Sequence, residues 1–390
     1  MLSVVLALFL AGVLLTWLRF AWALRRISAI PNLAQMKGEA PPSGWPILSV
    51  VVACRNEEAA VRAALTSILA QDYPALQVVA VDDRSEDATG AILDALAAEH
   101  PRLRVLHVDR LPPGWLGKTN ALHRGAQEAA GEFLLFTDAD VVFAPGVLRR
   151  AIAWAVDRQL GHAVALPHFV APGVLERSFV SLFAMLVLLQ LRLAELRGSD
   201  GDIGVGAFNL VRRRDYDAVG GHTRLRLEVV DDIGLGVILR QAGTAQGVAD
   251  SGGSVRVRWQ RGFLASMRGL VKNFFAAYEY RWRNVLRPVL LVPLATTVPA
   301  VLLFAASHPG VRVLAAAAFA VPALLLGATA RRIAAGHGAE GLLLPVVGLC
   351  LAAVVLTSAL VATVRGAVVW RGTRYELDEL RANCVRDRGG

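Results

Sequence analysis

Leu76-Gln77-Val78-Val79-Ala80-Val81-Asp82-Asp83-Arg84-Ser85-Glu86-Asp87-Ala88-Thr89 decides the fold class. An apolar run, Leu76–Val81, reads as a short buried strand. Two carboxylates stand at its carboxyl end, and a helical stretch, Asp87–Glu99, follows. The same passage recurs on either side. Ser49–Ala53, Leu103–Val108, Glu132–Thr137 and Ala163–Leu166 read as strands, with Glu57–Ala70, Thr119–Ala130 and Pro145–Asp157 as helices between them. Near-continuous apolar strands alternating with helices predict a Rossmann-like α/β domain whose mostly parallel sheet is covered on both faces. Such sheets bind ligands at the carboxyl ends of their strands. Asp82-Asp83 falls at one such end and Asp138-Ala139-Asp140 at another.

The rest of the chain is of a different kind. Hydrophobic residues make up 55% of the 390 and charged ones 19%, against about 25% charged in an ordinary soluble domain. The mean hydropathy is +0.48. This excludes a disordered chain and argues against a wholly soluble enzyme. Cys54, Cys350 and Cys384 are far apart, with no CxxC pair, so neither a disulfide framework nor a structural zinc site is expected. The net charge of +9 is carried almost wholly by arginine, since Lys37, Lys118 and Lys272 are the only lysines. No zinc-finger, helix-turn-helix or RNP-like pattern accompanies that charge, so nucleic acid is not an expected partner. The arginines flank apolar runs instead, as in a multi-pass protein of the cell membrane facing an anionic lipid bilayer.

The organisation is set by those runs. Residues 1–26 read as an uncleaved transmembrane anchor, because Leu2–Leu24 is long enough for a bilayer core and Arg25-Arg26 come after it. The positive-inside rule then places the residues beyond Arg26 in the cytoplasm. Residues 27–46 are a linker and 47–260 the α/β domain. Within that domain Val174 to Leu196 is strongly apolar, but Arg177 and Arg192 interrupt it, so a helix lying at the interface is expected rather than a span. Residues 261–284 form a basic amphipathic helix, with Phe263, Met267, Leu270, Phe274 and Tyr278 on one face and Arg268 and Lys272 on another. Three further apolar runs fill 285–364, and 365–390 is a basic tail. Four spans in all would carry that tail outside, against the positive-inside rule. Either one run is re-entrant or the tail is an exception.

The acids suggest chemistry. Carboxylates at Asp82 and Asp83 can accept hydrogen bonds from a base N–H or a ribose, while Ser85 or Asp87 would cap the next helix. Capping alone is the plainer reading of that motif. Asp138 and Asp140, two residues apart at a strand end, project the same way and repel each other. A divalent cation, Mg²⁺ or Mn²⁺, relieves that repulsion, and substrate phosphates commonly complete its shell. In Gly114-Trp115-Leu116-Gly117-Lys118 the glycines allow close backbone approach, and Lys118 can pair with a diphosphate. Pro112 rules out a Walker loop. Asp231 and Asp232, opening a helical run, suit a general base near an acceptor, or else an N-cap pair.

Together with Ala53-Cys54-Arg55-Asn56-Glu57-Glu58, these motifs make the chain resemble the membrane-anchored glycosyltransferases of family 2, which have a GT-A fold. The Gly-Trp-Leu-Gly-Lys loop and the tail motif Trp370-Arg371-Gly372-Thr373-Arg374-Tyr375 look like those of bacterial carotenoid and hopanoid-associated glycosyltransferases. The resemblance implies single displacement with inversion, from a nucleotide-sugar donor, a UDP-sugar above all, to a membrane-lipid acceptor. It implies that Glu57 and Asp83, with Arg55 and Asp82 beside them, hold the nucleoside, that Asp138 contacts the nucleotide sugar and that Asp140 binds the metal. Lys118 would assist the diphosphate, and Asp232, paired with Asp231, would be the base. Trp115, His222, Trp259, Trp370, Arg371 and Tyr375 are the remaining residues expected to serve the site, on the acceptor side. Processive relatives carry QxxRW; here Arg258-Trp259 is present but Val255 stands in the Gln position, which favours a single transfer over polymer extrusion. A processive polysaccharide synthase, or an inactive scaffold or transporter that keeps the fold, are the alternatives.

Overall fold

A computed structural model describes residues 1–27, 30–196, 203–258 and 260–386. The chain opens with α1 (Leu2–Ile27) and then alternates: β1 (Leu48–Cys54), α2 (Val61–Leu69), β2 (Leu76–Asp83), α3 (Thr89–Glu99), β3 (Leu103–Val108), α4 (Gly117–Glu128) and β4 (Phe133–Asp138). β5 (Val141–Phe143), α5 (Val147–Asp157), β6 (His162–Leu166) and β7 (His168–Phe169) lead into the long α6 (Val174–Leu196). β8 (Asn209–Arg212), α7 (Arg213–Ala218), α8 (Asp231–Gln241), β9 (Gln246–Asp250) and β10 (Val255–Val257) come next. The remainder is α9 (Phe263–Ala277), α10 (Trp282–Ala305), α11 (Pro309–Ile333), α12 (Leu344–Arg365), β11 (Ala367–Trp370), β12 (Thr373–Glu376) and α13 (Leu377–Ala382).

These elements form two compact units. The α/β unit holds residues 30–168, 202–258 and 382–390. Its main sheet has the order β3-β2-β1-β4-β8-β6-β9, with β1 to β4 parallel, β8 antiparallel to both neighbours and β6 parallel to β9. The expected strands and helices are all present, their ends shifted by a few residues. β1, β2 and β4 are buried along nearly their whole length, as their continuous apolar sequences require. The register aligns Ala53 with Asp138 and Cys54 with Asp82, so both acidic clusters and the Arg55–Glu58 turn emerge at one sheet edge.

The helical unit holds residues 1–29, 169–201 and 259–381. Among the described residues, four of its helices are long and apolar enough to cross a membrane: Leu2–Ala23, Trp282–Ala305, Pro309–Ile333 and Ala339–Arg365. α6, the Val174–Leu196 segment expected as an interface helix within residues 47–260, clusters with these helices. Phe179, Val180, Leu182 and Met185 of α6 are buried, and the charge of Arg177 that interrupts the apolar run is paired. Its Nε donates to Glu340 Oε1 at 2.9 Å, and the Ser178 hydroxyl donates to the Glu340 carbonyl at 3.0 Å. Glu340 is fully buried, and its carboxylate also accepts the N–H groups of His337 and Gly338. A paired, hydrogen-bonded charge can lie inside a bundle where an unpaired one could not.

The same unit sets the path of the chain toward the tail. The turn at Gly338–Gly341 tucks against Ala323 and Gly327, part-way back along α11. α12 then starts beside the middle of α10, where Thr297 Oγ1 donates to the Pro345 carbonyl at 2.9 Å. It ends beside α9, where Ser358 Oγ accepts from Phe275 N at 2.9 Å and Lys272 lies 4.0 Å over the Trp370 ring. These contacts fix the direction of α12. It runs antiparallel to α10, and the arginine-rich tail leaves at the end of the unit where α10 begins.

Candidate active site

The site is built where β1, β2 and β4 end. Beyond β1, Asn56 takes a left-handed turn (φ 53°), and a lattice of bonds ties this turn to the one after β2. Ser85 Oγ accepts from Asn56 N, Thr89 Oγ1 from Glu57 N at 2.8 Å, and Asp87 Oδ2 from Glu58 N. In return Glu86 N donates to Asn56 Oδ1 and Ala88 N to Glu58 Oε2. Asp87 also accepts from Thr89 N at the start of α3, so one residue both caps a helix and pins a neighbouring loop. This lattice fixes where Arg55 and Glu57 stand.

Asp82 and Asp83, adjacent in sequence, part ways. Asp82 is turned inward: Oδ1 accepts from Ser85 N at 3.2 Å, and Oδ2 lies 3.1 Å from His107 Nδ1, whose Nε2 is 2.9 Å from Asp94 Oδ1. The bond to Asp94, with that to Asp82, raises the His107 pKa against the opposing effect of burial. Asp82, expected beside the nucleotide, thus has both oxygens engaged within the fold. Asp83 faces the loop before α4. It takes a bidentate pair from Arg84, at 2.8 and 3.0 Å, with Arg55 at 3.6 Å. A Cβ at Gly117 would overlap Asp83 Oδ2, so only glycine lets the Gly-Trp-Leu-Gly-Lys loop pass this close.

One residue on, Lys118 sits at the centre of the acids. Its Nζ is 2.9 Å from Asp138 Oδ1 and 3.4 Å from Asp231 Oδ1. Burial opposes its charge, but Asp138, Asp231 and Asp232 outweigh that and raise its pKa. The Leu116 N–H and the Thr119 hydroxyl both donate to the Arg226 carbonyl, at 2.7 and 2.8 Å, which joins the start of α4 to the loop entering α8. Asp232 Oδ2 accepts from Gly206 N at 2.8 Å. A Cβ on Gly206 would lie 2.8 Å from Asp138 Oδ2 and 3.6 Å from Asp232 Oδ2, so this one glycine marks where the two acids meet. Gly204, whose Cβ would overlap the Asp232 carbonyl, lets the whole 203–206 segment close on α8.

Carboxylate outnumbers cation here. Burial first, then Asp138 and Glu57, push the Asp140 carboxyl up to about 7 despite Lys118. Burial also pushes Asp231 up to about 7, with Lys118 pulling it down and Asp232 and Asp138 adding to the rise. Hard oxygen ligands at the end of a buried strand, with surplus negative charge, fit a divalent cation. Among the described residues no group of three or more acids, histidines or cysteines is gathered to hold one, so ligand oxygens from elsewhere would have to complete the shell.

The acceptor-side candidates are divided between the two units. Trp115 stacks on His123 with ring centroids 5.0 Å apart, partly exposed beside Lys118. His222 is buried behind β4, 4.7 Å edge-on from Phe136, with Nδ1 2.9 Å from the Tyr216 hydroxyl. Burial, then His123 and Lys118, lower its pKa to about 3. Trp370, Arg371 and Tyr375 belong to the β11–β12 hairpin of the helical unit, with Tyr375 buried. Trp259 lies outside the described residues. Two participants are absent from the expected set. Arg84 carries no sequence signal, whereas the close glycines of Ile203-Gly204-Val205-Gly206 are a readable sign of tight backbone approach.

Residues 49–220 match the sequence model of the family described as Glycosyl transferase family 2. This segment is a family 2 glycosyltransferase domain. The domain's relatives include the beta-monoglucosyldiacylglycerol synthase of Synechocystis sp., 29% identical over 230 residues, which are 56% of this chain and 45% of that protein. They also include the 4,4'-diaponeurosporenoate glycosyltransferase of Staphylococcus aureus, 25% identical over 248 residues, 61% of this chain and 64% of that one. The chain spans less than two thirds of the length of either relative. Among solved structures, a mannosyltransferase from Pyrobaculum calidifontis, in complex with GDP-Man and Mn²⁺, aligns over 93% of this chain and 97% of its own with a TM-score of 0.56 at 21% identity. That likeness shows a fold of the GT-A type for the α/β domain.

Proposed function

We propose that this protein moves one sugar from a nucleotide-sugar to a hydroxyl or carboxylate of a membrane lipid, a carotenoid, hopanoid or other isoprenoid or glycolipid, with inversion at the anomeric carbon. The observation that carries the proposal is the convergence of Lys118, Asp138, Asp231 and Asp232 around Gly206, at the strand ends where this fold class binds ligands. The relatives' names support a lipid acceptor, and the long apolar helices suit one. Arg25-Arg26 at the end of α1, beyond its apolar Leu2–Ala23 stretch, and the basic tail at the α10 start support a cytosol-facing catalytic domain on the cell membrane.

Glu57 and Asp83 hold the nucleoside, with Arg55 and Arg84 fixing the Asp83 carboxylate. Asp138 and Asp140 would hold Mg²⁺ or Mn²⁺, which, when bound, neutralises diphosphate charge. Lys118 stabilises the same charge as the bond to the anomeric carbon breaks. Asp231, buried against Lys118, orients that ammonium. Asp232 is half-buried and held by the Gly206 N–H, so it is the acid an acceptor can reach. With a hydroxyl acceptor it takes the O–H proton as that oxygen bonds to the anomeric carbon and the nucleoside diphosphate leaves; a carboxylate acceptor attacks already deprotonated. Val255 is fully buried in β10 opposite Phe143, so the position of the processive motif's glutamine carries no polar head group. That favours one transfer per acceptor.

The test is incubation of membranes containing the protein with radiolabelled UDP- and GDP-sugars and Mn²⁺. Label in organic-extractable lipid supports the proposal. Label in polymer points to a processive synthase, and label in neither contradicts transfer altogether.

A further inference from the structure

One buried charge near the site has no part in this chemistry. Glu228, 1% exposed, precedes Asp231 in the loop entering α8. Its partner comes from the end of the chain. Arg386 NH2 donates to Glu228 Oε1 at 3.3 Å, and Val385 N donates to Oε2 at 3.2 Å. Arg386 is itself only 8% exposed. Val385 packs on the cluster that contains Leu225, Leu235 and Ile238. Gly234 leaves room for this arrangement, since a Cβ there would lie 2.8 Å from Glu228 Cγ and 3.5 Å from Val385. The last described residues therefore fold into the α/β unit, onto the loop that carries the acids.

We propose that Arg386 is a positioning residue: the C-terminal segment straps the 226–232 loop, and the Arg386–Glu228 pair sets where Asp231 and Asp232 stand. The loop is held at three points. Arg226 is bonded to both sides of Lys118, Glu228 to the tail, and Asp232 to Gly206. Removing the guanidinium leaves a carboxylate buried without a counter-charge, a strongly unfavourable state. The loop relieves it by swinging Glu228 toward water, which disturbs the 3.4 Å Lys118–Asp231 and 2.8 Å Gly206–Asp232 contacts. The nucleoside-facing groups, Glu57 and Asp83, sit on other strand ends fixed by their own lattice. The defect thus belongs to the chemical step rather than to donor binding.

The inference rests on the assignment of Asp232 as base, and the test separates the two. Full-length protein in lipid nanodiscs is compared as wild type, R386A, R386K and E228Q/R386A. R386A should lose about 10- to 100-fold in kcat, the scale of a misplaced catalytic group, with the donor KM unchanged within about twofold. R386K should keep most of the activity. E228Q/R386A should recover much of the loss, because the stranded charge is gone. Amide exchange over residues 226–235 should rise in R386A while β1 and β2 stay protected. Wild-type kcat in R386A, a loss carried by the donor KM, or no recovery in E228Q/R386A overturns the proposal. If R386A does not fold, R386K and E228Q/R386A carry the same comparison. If the wild type transfers no sugar, the functional reading fails, and unchanged exchange at 226–235 would overturn the strap independently.

Discussion

The two units bury charge in opposite ways. In the helical unit Glu340 is met by Arg177 and by the N–H groups of His337 and Gly338, so the ion pair is complete and its role is architectural. In the α/β unit one ammonium, Lys118, faces Asp138, Asp231 and Asp232, with Asp140 and Glu57 close by. Folding alone gives no reason to gather so many carboxylates, because desolvation and mutual repulsion both oppose it. A balanced buried charge holds a structure together; an unbalanced one is set to receive a ligand. Glu228 with Arg386 is of the first kind, placed next to a site of the second.

That contrast can be broken by mutation. The largest effect should come from D140A or D138A. Either relieves repulsion, so the melting temperature should hold or rise, while sugar transfer falls at least about 100-fold. Radiolabel transfer and thermal unfolding on one preparation check both halves. K118A should cost roughly 10²- to 10³-fold in kcat and also destabilise the domain, since it leaves Asp138 and Asp231 without their counter-charge. R177A should do the converse. It should destabilise by about 3–5 kcal/mol, as expected when one partner of a buried pair is removed, yet leave the kcat of the folded fraction near wild type. G117A should raise the donor KM about tenfold, or ~1.4 kcal/mol, by displacing Asp83 with little change in kcat.

The smallest effect concerns His107. Its pKa is raised in the fold, so the stability it gives is present below its unfolded value of about 6.5 and is lost as pH rises through the higher folded value. The ring is 44% exposed, so the contribution is under about 1 kcal/mol. The melting temperature of H107Q should approach that of the wild type as pH rises from about 6 to 9.

Much of this was legible in the sequence because the signals are local. Apolar runs of strand length ending in acids marked five of the seven strands of the main sheet and the edge where the acidic clusters emerge, but not β8 or β9. The pairing of Lys118 with Asp138 and Asp231 was not legible, since it depends on how α4 and α8 approach β4, and neither helix carries that information alone. The same holds for Asp82, which is indistinguishable from Asp83 in sequence but is turned inward by His107 from β3. Arg177 argued against burying α6, because a single sequence does not reveal that Glu340 comes to meet it. The direction of α12 against α10 is likewise set by side-to-side packing, whereas hydropathy reports only length.

The central claim is that the surplus carboxylates of the α/β unit are completed by a cation and a nucleoside diphosphate together. Titration calorimetry of GDP and UDP into the full-length protein, with Mn²⁺ or with EDTA, tests this most directly. The account predicts that one of the two nucleotides binds at least about tenfold more tightly with Mn²⁺, and that D138N/D140N abolishes the difference. Equal affinity in EDTA, or a Mn²⁺ effect that survives in D138N/D140N, would contradict it.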